Sequence, residues 1–525
     1  MNTKLPAFAP ALRPLFAVLC LLAASATTLT LAPRANAAAV TKAAAGGYHS
    51  LYVTDAGALW AVGDNTFGQL GDGTDSPWQT SRVQVATGVI DVAAGCYHSL
   101  FLKNDGALWA MGSDIDGELG DGAVNDGTDL QYQNPPVRVA DGVKAVAAGN
   151  AHSLFLKNDG TLWAMGANSL GQLGDGTTTY RRTPVQIADS VTAVAAGDAH
   201  SLFLKNDNTL WAMGANDYGQ LGDGTTTTRR APVRVADNVK AVSAGNYHTL
   251  FLKYDGTLWA VGANDCGQLA DGTTTQRLAP VQVAAGVMTM AAGGSCSLYV
   301  GNDGTLWAVG CNSTGQLGDG TTTTRRAPVQ IAAGVTAVTA SKWRQGHTLF
   351  IKNNGTLWAM GYNNAGQLGD GTKGDQRNPN SADRHAPVYI AGGGGPVITT
   401  QPVSQNPAAG ALVTFGVVAD GSAPLTYQWQ KNSADIPGAT ASTYTIKNAQ
   451  PPDAGNYRVI VTDATGPTPS EVATLSIAGY GAGDGNSDGA GGSNAGGGGA
   501  PSLLQAAALA LLATMRVIKR NRPHA

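Results

Sequence analysis

The chain has 525 residues, which is too long for one ordinary hydrophobic core and predicts more than one domain. Its 70 glycines and its low charged fraction of 13% favour a turn-rich, all-β protein over a disordered chain or a helical array. The net charge of −3 provides no positive field that would attract nucleic acid or anionic lipid, so we expect no nucleic-acid partner.

The first 37 residues have the pattern of a secretory signal peptide. Basic residues precede an apolar run at residues 15–22, and small residues then lead to a candidate cleavage site after Ala37. We predict export to the cell surface, the outer envelope or the medium. Export would expose four cysteines to an oxidising compartment, but their irregular spacing predicts no disulfide framework and leaves any pairing open: Cys96, Cys266, Cys296 and Cys311.

Seven tandem copies of one motif follow, each marked by a Leu-Trp pair. The tryptophans recur at intervals of 48 to 54 residues, at Trp60, Trp109, Trp163, Trp211, Trp259, Trp307 and Trp358. Eleven residues before each Trp lies a His, replaced by Cys in the sixth copy: His49, His98, His152, His200, His248, Cys296 and His347. This self-similarity predicts a repeat architecture with one structural module per copy.

The third copy shows the local structure of a module. Apolar runs at 153–157 and 161–165 are joined through Asn-Asp-Gly, which is typical of a tight β-hairpin. Residues 143–148 and 184–187 supply two more short strands, so each copy has about four. Four-stranded modules stacked radially bury each other's faces, and we therefore predict a seven-bladed β-propeller over residues 40–391.

The motifs Ala-Ala-Gly-x-x-His-Ser-Leu, Leu-Trp-Ala-x-Gly and Gly-Gln-Leu-Gly-Asp-Gly resemble the repeat of the regulator of chromosome condensation family. The resemblance covers about residues 40–391 and implies that family's seven-bladed propeller. The founding eukaryotic members are guanine-nucleotide exchange factors on chromatin, but their basic arm and long wedge insertion have no counterpart here. Secreted bacterial relatives are binding proteins, among them an inhibitor of β-lactamases, which implies a binding function.

The repeated His and the repeated Asp of Gly-Asp-Gly invite a catalytic or metal-binding interpretation. One His per blade spreads the ligands around a ring, whereas zinc needs ligands that converge. We expect the imidazoles to bond backbone between strands, and the carboxylates to form Asx turns, at Asp72, Asp121, Asp175, Asp223, Asp271, Asp319 and Asp370. We therefore assign no catalytic residue, no metal ligand and no cofactor.

Positions that differ between copies are free to make external contacts. They include the residue before Gly-Gln-Leu and the two residues before each His, and we expect these loops to form a binding surface. Aromatic side chains supply its candidate partner-binding residues: Tyr48, Phe67, Trp78, Tyr97, Tyr180, Tyr218 and Tyr247. The alternative is that these aromatics are scattered and pack between blades.

Two insertions, 123–134 and 373–385, follow a Gly-Asp-Gly turn and should rise from one face of the propeller. They either form part of a binding contact or lie on that face without a role in binding. Arginine pairs occur at equivalent positions in three copies, and we interpret them as a solvated face rather than an anion-binding ring: Arg181-Arg182, Arg229-Arg230 and Arg325-Arg326.

The pattern changes at residue 396, and residues 396–478 resemble an immunoglobulin-like β-sandwich. Residues 425–429 end in a Trp typical of the core strand, and Tyr457 lies in a motif that resembles the tyrosine corner. Val417 and Val459 stand where the usual disulfide would be, so the core must depend on apolar packing. Such domains serve as spacers or adhesion modules.

A Gly-rich linker at 479–500 precedes a short apolar and basic segment at 501–525. The apolar part is shorter than the roughly 20 residues that span a bilayer. The arrangement resembles bacterial carboxy-terminal sorting signals, which implies transient membrane association followed by processing and surface display or release. The alternative is a weak permanent anchor.

Together these features predict an exported, non-enzymatic binding protein whose propeller loops recognise a protein or a glycan. Two alternatives remain: an enzyme on a propeller scaffold, such as a lyase or hydrolase, and a structural component of the envelope.

Overall fold

A computed structural model describes residues 38–123, 132–375, 378–392, 396–420, 425–463 and 466–478. The predicted signal peptide, Gly-rich linker and carboxy-terminal segment lie outside these residues. Within them the chain forms seven four-stranded sheets followed by a β-sandwich, which confirms the predicted all-β fold class. No helix in this part of the chain is long and apolar enough to cross a membrane.

Each blade is an antiparallel meander whose strands follow chain order from the central channel outward. The first four blades contain β1 (Val40–Ala45), β2 (His49–Thr54), β3 (Leu59–Asp64), β4 (Trp78–Ala86); β5 (Val89–Ala94), β6 (His98–Lys103), β7 (Leu108–Ser113), β8 (Tyr132–Ala140); β9 (Val143–Ala148), β10 (His152–Lys157), β11 (Leu162–Gly166), β12 (Arg181–Ala188); β13 (Val191–Ala196), β14 (His200–Lys205), β15 (Leu210–Gly214) and β16 (Arg229–Ala236). The other three contain β17 (Val239–Ala244), β18 (His248–Lys253), β19 (Leu258–Gly262), β20 (Arg277–Ala284); β21 (Val287–Ala292), β22 (Cys296–Gly301), β23 (Leu306–Gly310), β24 (Arg325–Ala332); β25 (Val335–Ala340), β26 (His347–Lys352), β27 (Thr356–Gly361) and β28 (Arg384–Gly392).

Because neighbouring strands run antiparallel, the connections alternate between the two ends of the ring. The tight Asp-Gly hairpins and the links to the next blade lie at one end, which we call the hairpin face. The turns before each His and the Gly-Gln-Leu-Gly-Asp-Gly loops lie at the other end, which we call the loop face.

The repeated Trp packs against the aromatic residue opposite it on the second strand. In blade 3 the rings of Phe155 and Trp163 are stacked with centroids 6.2 Å apart. The amine of Lys157 lies 4.5 Å from the centre of the same Trp ring, and four other blades repeat this cation–π contact. The Lys-x-x-x-x-x-Trp spacing of the motif therefore serves packing within each blade.

The repeated His joins each blade to the next. His152 Nε2 lies 2.9 Å from the hydroxyl of Ser201 in blade 4, and that hydroxyl donates to the carbonyl of Gln172 in blade 3 at 2.7 Å. The hydroxyl uses its one proton on the carbonyl, so the imidazole Nε2 carries the donated proton. The prediction that the imidazole bonds directly to backbone is therefore wrong. A Ser or Thr hydroxyl of the following copy lies between the imidazole and the backbone carbonyl.

Five further pairs repeat this link, and the last of them joins blade 7 to blade 1. They are His49 with Ser99, His98 with Ser153, His200 with Thr249, His248 with Ser297, and His347 with Ser50. Cys296 replaces His in blade 6, where Thr348 still donates to the Gln316 carbonyl at 2.9 Å. Burial lowers the pKa of His152 to about 3, so the ring stays neutral.

The glycine three residues before the repeated His in blades 1 to 5 is required by the imidazole. A Cβ added to Gly149 would lie 2.1 Å from His152 Cε1 and 2.7 Å from the Gly197 carbonyl oxygen of the next blade. The Ala-Ala-Gly-x-x-His spacing therefore encodes the packing of the ring against its own turn.

The Gly-Asp-Gly carboxylates form Asx turns, as predicted. In blade 3, Thr177 N donates to Asp175 Oδ1 at 2.9 Å, and Asn168 Nδ2 donates to the same oxygen at 3.0 Å. Arg181 Nε donates to the other oxygen at 2.7 Å. The same ion pair recurs at Asp223, Asp271, Asp319 and Asp370 with Arg229, Arg277, Arg325 and Arg384.

These ion pairs correct the interpretation of the arginine pairs as a solvated face for the first arginine of each pair, whereas Arg230 and Arg326 are exposed. The first arginine of each pair neutralises the loop carboxylate of its own blade, with Arg181 bound to a carboxylate that is only 4% exposed. The second packs on the preceding blade: a Cβ on Gly171 would lie 2.6 Å from Arg230 Cα.

One disulfide crosses between blades at the loop face. It joins Cys266, in the outer loop of blade 5, to Cys311, which follows β23 in blade 6. Cys96 and Cys296 are free and buried. The sequence left the pairing of these cysteines open, and the structure pairs Cys266 with Cys311.

The second domain contains β29 (Val397–Thr400), β30 (Val413–Gly416), β31 (Val418–Asp420), β32 (Thr426–Lys431), β33 (Ala434–Asp435), β34 (Thr443–Ile446), β35 (Gly455–Asp463), β36 (Gly466–Pro469) and β37 (Ala473–Leu475). Trp429 is fully buried and donates from Nε1 to the Ala441 carbonyl at 2.9 Å. The hydroxyl of Tyr457 donates to the Asp453 carbonyl at 2.6 Å, the expected tyrosine corner. Val417 and Val459 belong to the same apolar core.

The loop of blade 5 provides a test of local strain. Ala270 has a φ of +63°, where the other six blades have glycine. Replacing it by glycine relieves about 1–2 kcal/mol of left-handed strain but adds about 0.4–1 kcal/mol of unfolded-state entropy. We expect Ala270→Gly to raise the free energy of unfolding by about 0.5–1 kcal/mol, measured by urea denaturation.

The reverse change in blade 4 is its matched control. Gly222 has a φ of +78°, and an added Cβ would lie 3.1 Å from Val235 Cγ1. Gly222→Ala should therefore destabilise the propeller. A stabilising Gly222→Ala, or an Ala270→Gly variant less stable than the natural chain, would contradict this account of the loop.

Candidate functional site

The two sets of variable positions lie on the same face. The turn before His49 and the loop after β3 both project from the loop face, because the first and third connections of a meander lie at one end. The described parts of both insertions follow third strands and also lie there. Departures from the repeat are therefore concentrated at one end of the ring.

Three of the predicted residues gather in one place. The rings of Tyr48 and Tyr97 stack with centroids 5.9 Å apart, and Phe67 lies 5.0 Å from Tyr97. Two residues that sequence reasoning missed complete the group: Trp343 at 5.9 Å and Tyr362 at 6.2 Å from Tyr48. We call these five residues the aromatic cluster.

The other predicted residues lie apart from this cluster. Tyr218 and Tyr247 form a second pair with centroids 4.9 Å apart, and each is about two-fifths exposed. Trp78 is also exposed, with the Lys373 amine 3.5 Å from its ring centre. Tyr180 is half-buried just before β12. The seven candidates therefore do not form one patch.

Trp343 belongs to a loop that only blade 7 has. Ala148 and His152 are four residues apart in blade 3, whereas Ala340 and His347 are seven apart. This three-residue insertion was visible in the sequence, but the alignment on His and Trp concealed it. We call residues 341–346 the channel plug.

The channel plug reaches several blades across the mouth of the channel. Trp343 packs on Tyr48 of blade 1, and the amine of Lys342 donates to the Ala148 carbonyl of blade 3. The guanidinium of Arg344 lies 3.7 Å from the Asp265 carboxylate of blade 5. The loop therefore closes one end of the channel with side chains that point in different directions.

The channel beneath it is a small cavity of about 210 Å³ lined by the innermost strands. Lys342 is the charged residue in its lining, and burial lowers the pKa of this amine to about 8. The Asp198 carboxylate near it has a raised pKa, again because of burial. A buried, weakly basic amine therefore caps an alanine-lined channel.

The aromatic cluster lies beside buried carboxylates. Asp64 accepts hydrogen bonds from Gln69 Nε2 at 3.0 Å and from Thr66 N at 3.1 Å, and burial raises its pKa. Burial first, and then Cys96, Tyr362 and Asp64, raise the pKa of the Tyr48 hydroxyl. The phenol therefore stays neutral and serves as a hydrogen-bonding aromatic surface.

Among the described residues, no group of three or more His, Cys, Asp or Glu side chains is placed to hold a metal ion. The six repeated His side chains lie in separate interfaces between blades. What the site offers is an asymmetric face with a cluster of aromatic rings.

The fold and this face define a seven-bladed propeller with one differentiated end. The chain belongs to the RCC1-like domain family, whose family model matches residues 22–343, more than half of the chain. The immunoglobulin domain model matches residues 395–463.

Solved structures share the propeller fold. Human WBSCR16 is 22% identical, with a TM-score of 0.56, over 66% of this chain and 96% of that one. Prp20p from Saccharomyces cerevisiae is 20% identical, with a TM-score of 0.55, over 65% of this chain and 87% of that one. At these identities the likeness shows the fold alone.

Two curated proteins match short stretches. Endoglucanase C of Cellulomonas fimi is 36% identical over 86 residues, which cover 16% of this chain and 8% of that protein. The decoration protein of Escherichia phage T5 is 46% identical over 56 residues, covering 10% of this chain and 34% of that protein. The chain thus spans at most about a third of these curated relatives.

The channel plug predicts a specific pH dependence. Between pH 8 and about 10.4 the unfolded chain keeps a proton on Lys342 that the folded chain has lost, so this residue makes stability rise with pH. Lys342→Met should remove that rise, about 1.4 kcal/mol per pH unit at most. Urea unfolding of both proteins at pH 7, 8, 9 and 10 measures the difference.

Lys240→Met is the matched control, because Lys240 is exposed on the innermost strand of blade 5. It should leave the pH dependence intact. If Lys342→Met and the natural chain show parallel stability curves above pH 8, the amine is not buried as described.

Proposed function

We propose that this chain is an exported, non-enzymatic binding protein that recognises a protein or a glycan through its loop face. The observation that carries the proposal is the concentration of unrepeated aromatic residues and the channel plug at one end of an otherwise regular ring. Residues that recur are engaged in blade packing and inter-blade bonds, whereas the aromatic cluster is partly exposed and belongs to no repeat consensus.

The family supports an interaction function. The yeast relative Prp20p has reported binding properties to Gsp1p and histones, and a further structure shows it bound to Kap60. Large amphipathic side chains such as Trp and Tyr dominate binding energy at protein interfaces. The channel plug supplies one such anchor, Trp343, which is 36% exposed.

Export is the second part of the proposal and is supported by the pattern of residues 1–37. The carboxy-terminal segment, 501–525, supports surface display or release after processing. Recovery of the chain from the medium with a new amino terminus at Ala38 would agree with export.

Capture experiments with the full-length chain test the binding face. Natural chain on beads is mixed with the extracellular fraction, and retained proteins and polysaccharides are compared with those retained by Tyr48→Ala/Tyr97→Ala. We expect the loop-face variant to lose at least about 1.4 kcal/mol, or tenfold, in affinity for a captured partner.

The control is Tyr254→Ala, because Tyr254 is 58% exposed on the hairpin face. If Tyr254→Ala alone lost capture, the binding site would lie on the hairpin face, which would contradict the proposal. Turnover of a glycan or ester by the purified chain would favour the enzyme alternative, and ordered self-assembly would favour the envelope alternative.

A further inference from the structure

The rings of the aromatic cluster lie at mixed angles rather than in one plane. Around Tyr48 the ring planes are tilted by 23° to Tyr97, 52° to Trp343 and 63° to Tyr362. A sugar ring stacks best on one flat, exposed aromatic face, and here only Trp343 is more than a third exposed. Rings at mixed angles instead present several electron-rich faces to a compact group.

Two carboxylates flank the cluster. Asp64 lies beside Tyr48, because its backbone N donates to the Tyr48 carbonyl at 2.9 Å. Asp383 lies on the side of Tyr362 and is 9% exposed; its Oδ1 accepts from Asn363 N at 2.9 Å, while its Oδ2 is buried with no hydrogen-bond partner.

Neither carboxylate forms an ion pair within the described part of the chain. Arg384 lies near Asp383, but its guanidinium is bound to Asp370 at 2.6 Å. Asp64 therefore has hydrogen bonds from Thr66 and Gln69 but no counter-ion among the described residues, and a cationic ligand would supply one.

The cations of the channel plug point away from the cluster. The Lys342 amine lies in the channel on the Ala148 carbonyl, and Arg344 points toward Asp265 of blade 5. The plug therefore contributes the Trp343 indole to the cluster, while its two cationic groups contact other parts of the propeller. The acidic side chains beside the cluster, Asp64 and Asp383, have the sign that is complementary to a basic ligand.

We propose that the aromatic cluster, with Asp64 and Asp383 beside it, binds a lysine or arginine side chain of a protein partner. The inference rests on the proposed loop-face binding and deepens it, because it selects a protein with an exposed basic residue over a neutral glycan. Trp343 and Tyr48 supply the ring faces, and Asp64 supplies the opposite charge.

Isothermal titration of the full-length chain with tetralysine tests this assignment, beside Nε-acetylated tetralysine, tetraglutamate and cellohexaose. We expect tetralysine to bind, and acetylation to weaken binding on the order of tenfold or more because it removes the charge and keeps the chain. Trp343→Ala and Asp64→Asn should each weaken tetralysine binding to a similar extent.

Asp55→Asn is the matched charge control, because Asp55 is exposed on the hairpin face of the same blade. It should leave tetralysine affinity unchanged. Equal losses in Asp55→Asn and Asp64→Asn would show bulk charge attraction and overturn the assignment, as would equal binding of acetylated and unmodified tetralysine.

Circular dichroism establishes that each variant is folded. If Asp64→Asn unfolds, the assignment is still tested by comparing the affinities of tetralysine and acetylated tetralysine for the natural chain. Trp343→Phe, which keeps an aromatic ring, should retain tetralysine binding. Absence of tetralysine binding overturns the inference. Cellohexaose binding that Trp343→Ala abolishes would also overturn it, while leaving loop-face binding itself intact.

Discussion

The structure depends on one interaction repeated around the ring: imidazole to hydroxyl to carbonyl. Each link uses a His of one blade and the Ser or Thr that follows His in the next copy, so no blade is complete alone. No strand is shared between the first and last blades, and the contact of His347 with Ser50 closes the ring at that seam. The seam gains a backbone bond from Val40 N to the Gly355 carbonyl at 2.9 Å.

This constraint explains what the repeated residues do in the ring. The imidazoles are fully buried, neutral and engaged, and the loop carboxylates are held by an amide, a backbone N–H and an arginine. Free side chains remain where copies differ, and these lie at the loop face. The channel plug, the disulfide and the aromatic cluster all use positions that the ring does not need.

The periodic features could be predicted from the sequence because each arises within one copy. The hairpins, the Asx turns, the seven blades and the immunoglobulin-like core follow from local patterns. What was missed depends on contacts between copies. The hydroxyl partner lies 49 to 55 residues away for five of the His and 297 residues away for His347. Cys266 and Cys311 occupy non-equivalent positions that only the fold brings to a Cα separation of 5.2 Å.

The candidate site was predictable only in part, for the same reason. Tyr48, Phe67 and Tyr97 come together because blades 1 and 2 are neighbours, but grouping Tyr218 with Tyr247 separately required the ring's geometry. Trp343 was missed because aligning the copies on His and Trp hid the longer turn.

The most direct test of the ring-closing link is equilibrium unfolding of Ser50→Ala, which removes the closing hydroxyl and leaves the His347 N–H and the Gln367 carbonyl without their partner. The account predicts a loss of about 1–3 kcal/mol in one cooperative propeller transition, and unchanged stability would contradict it.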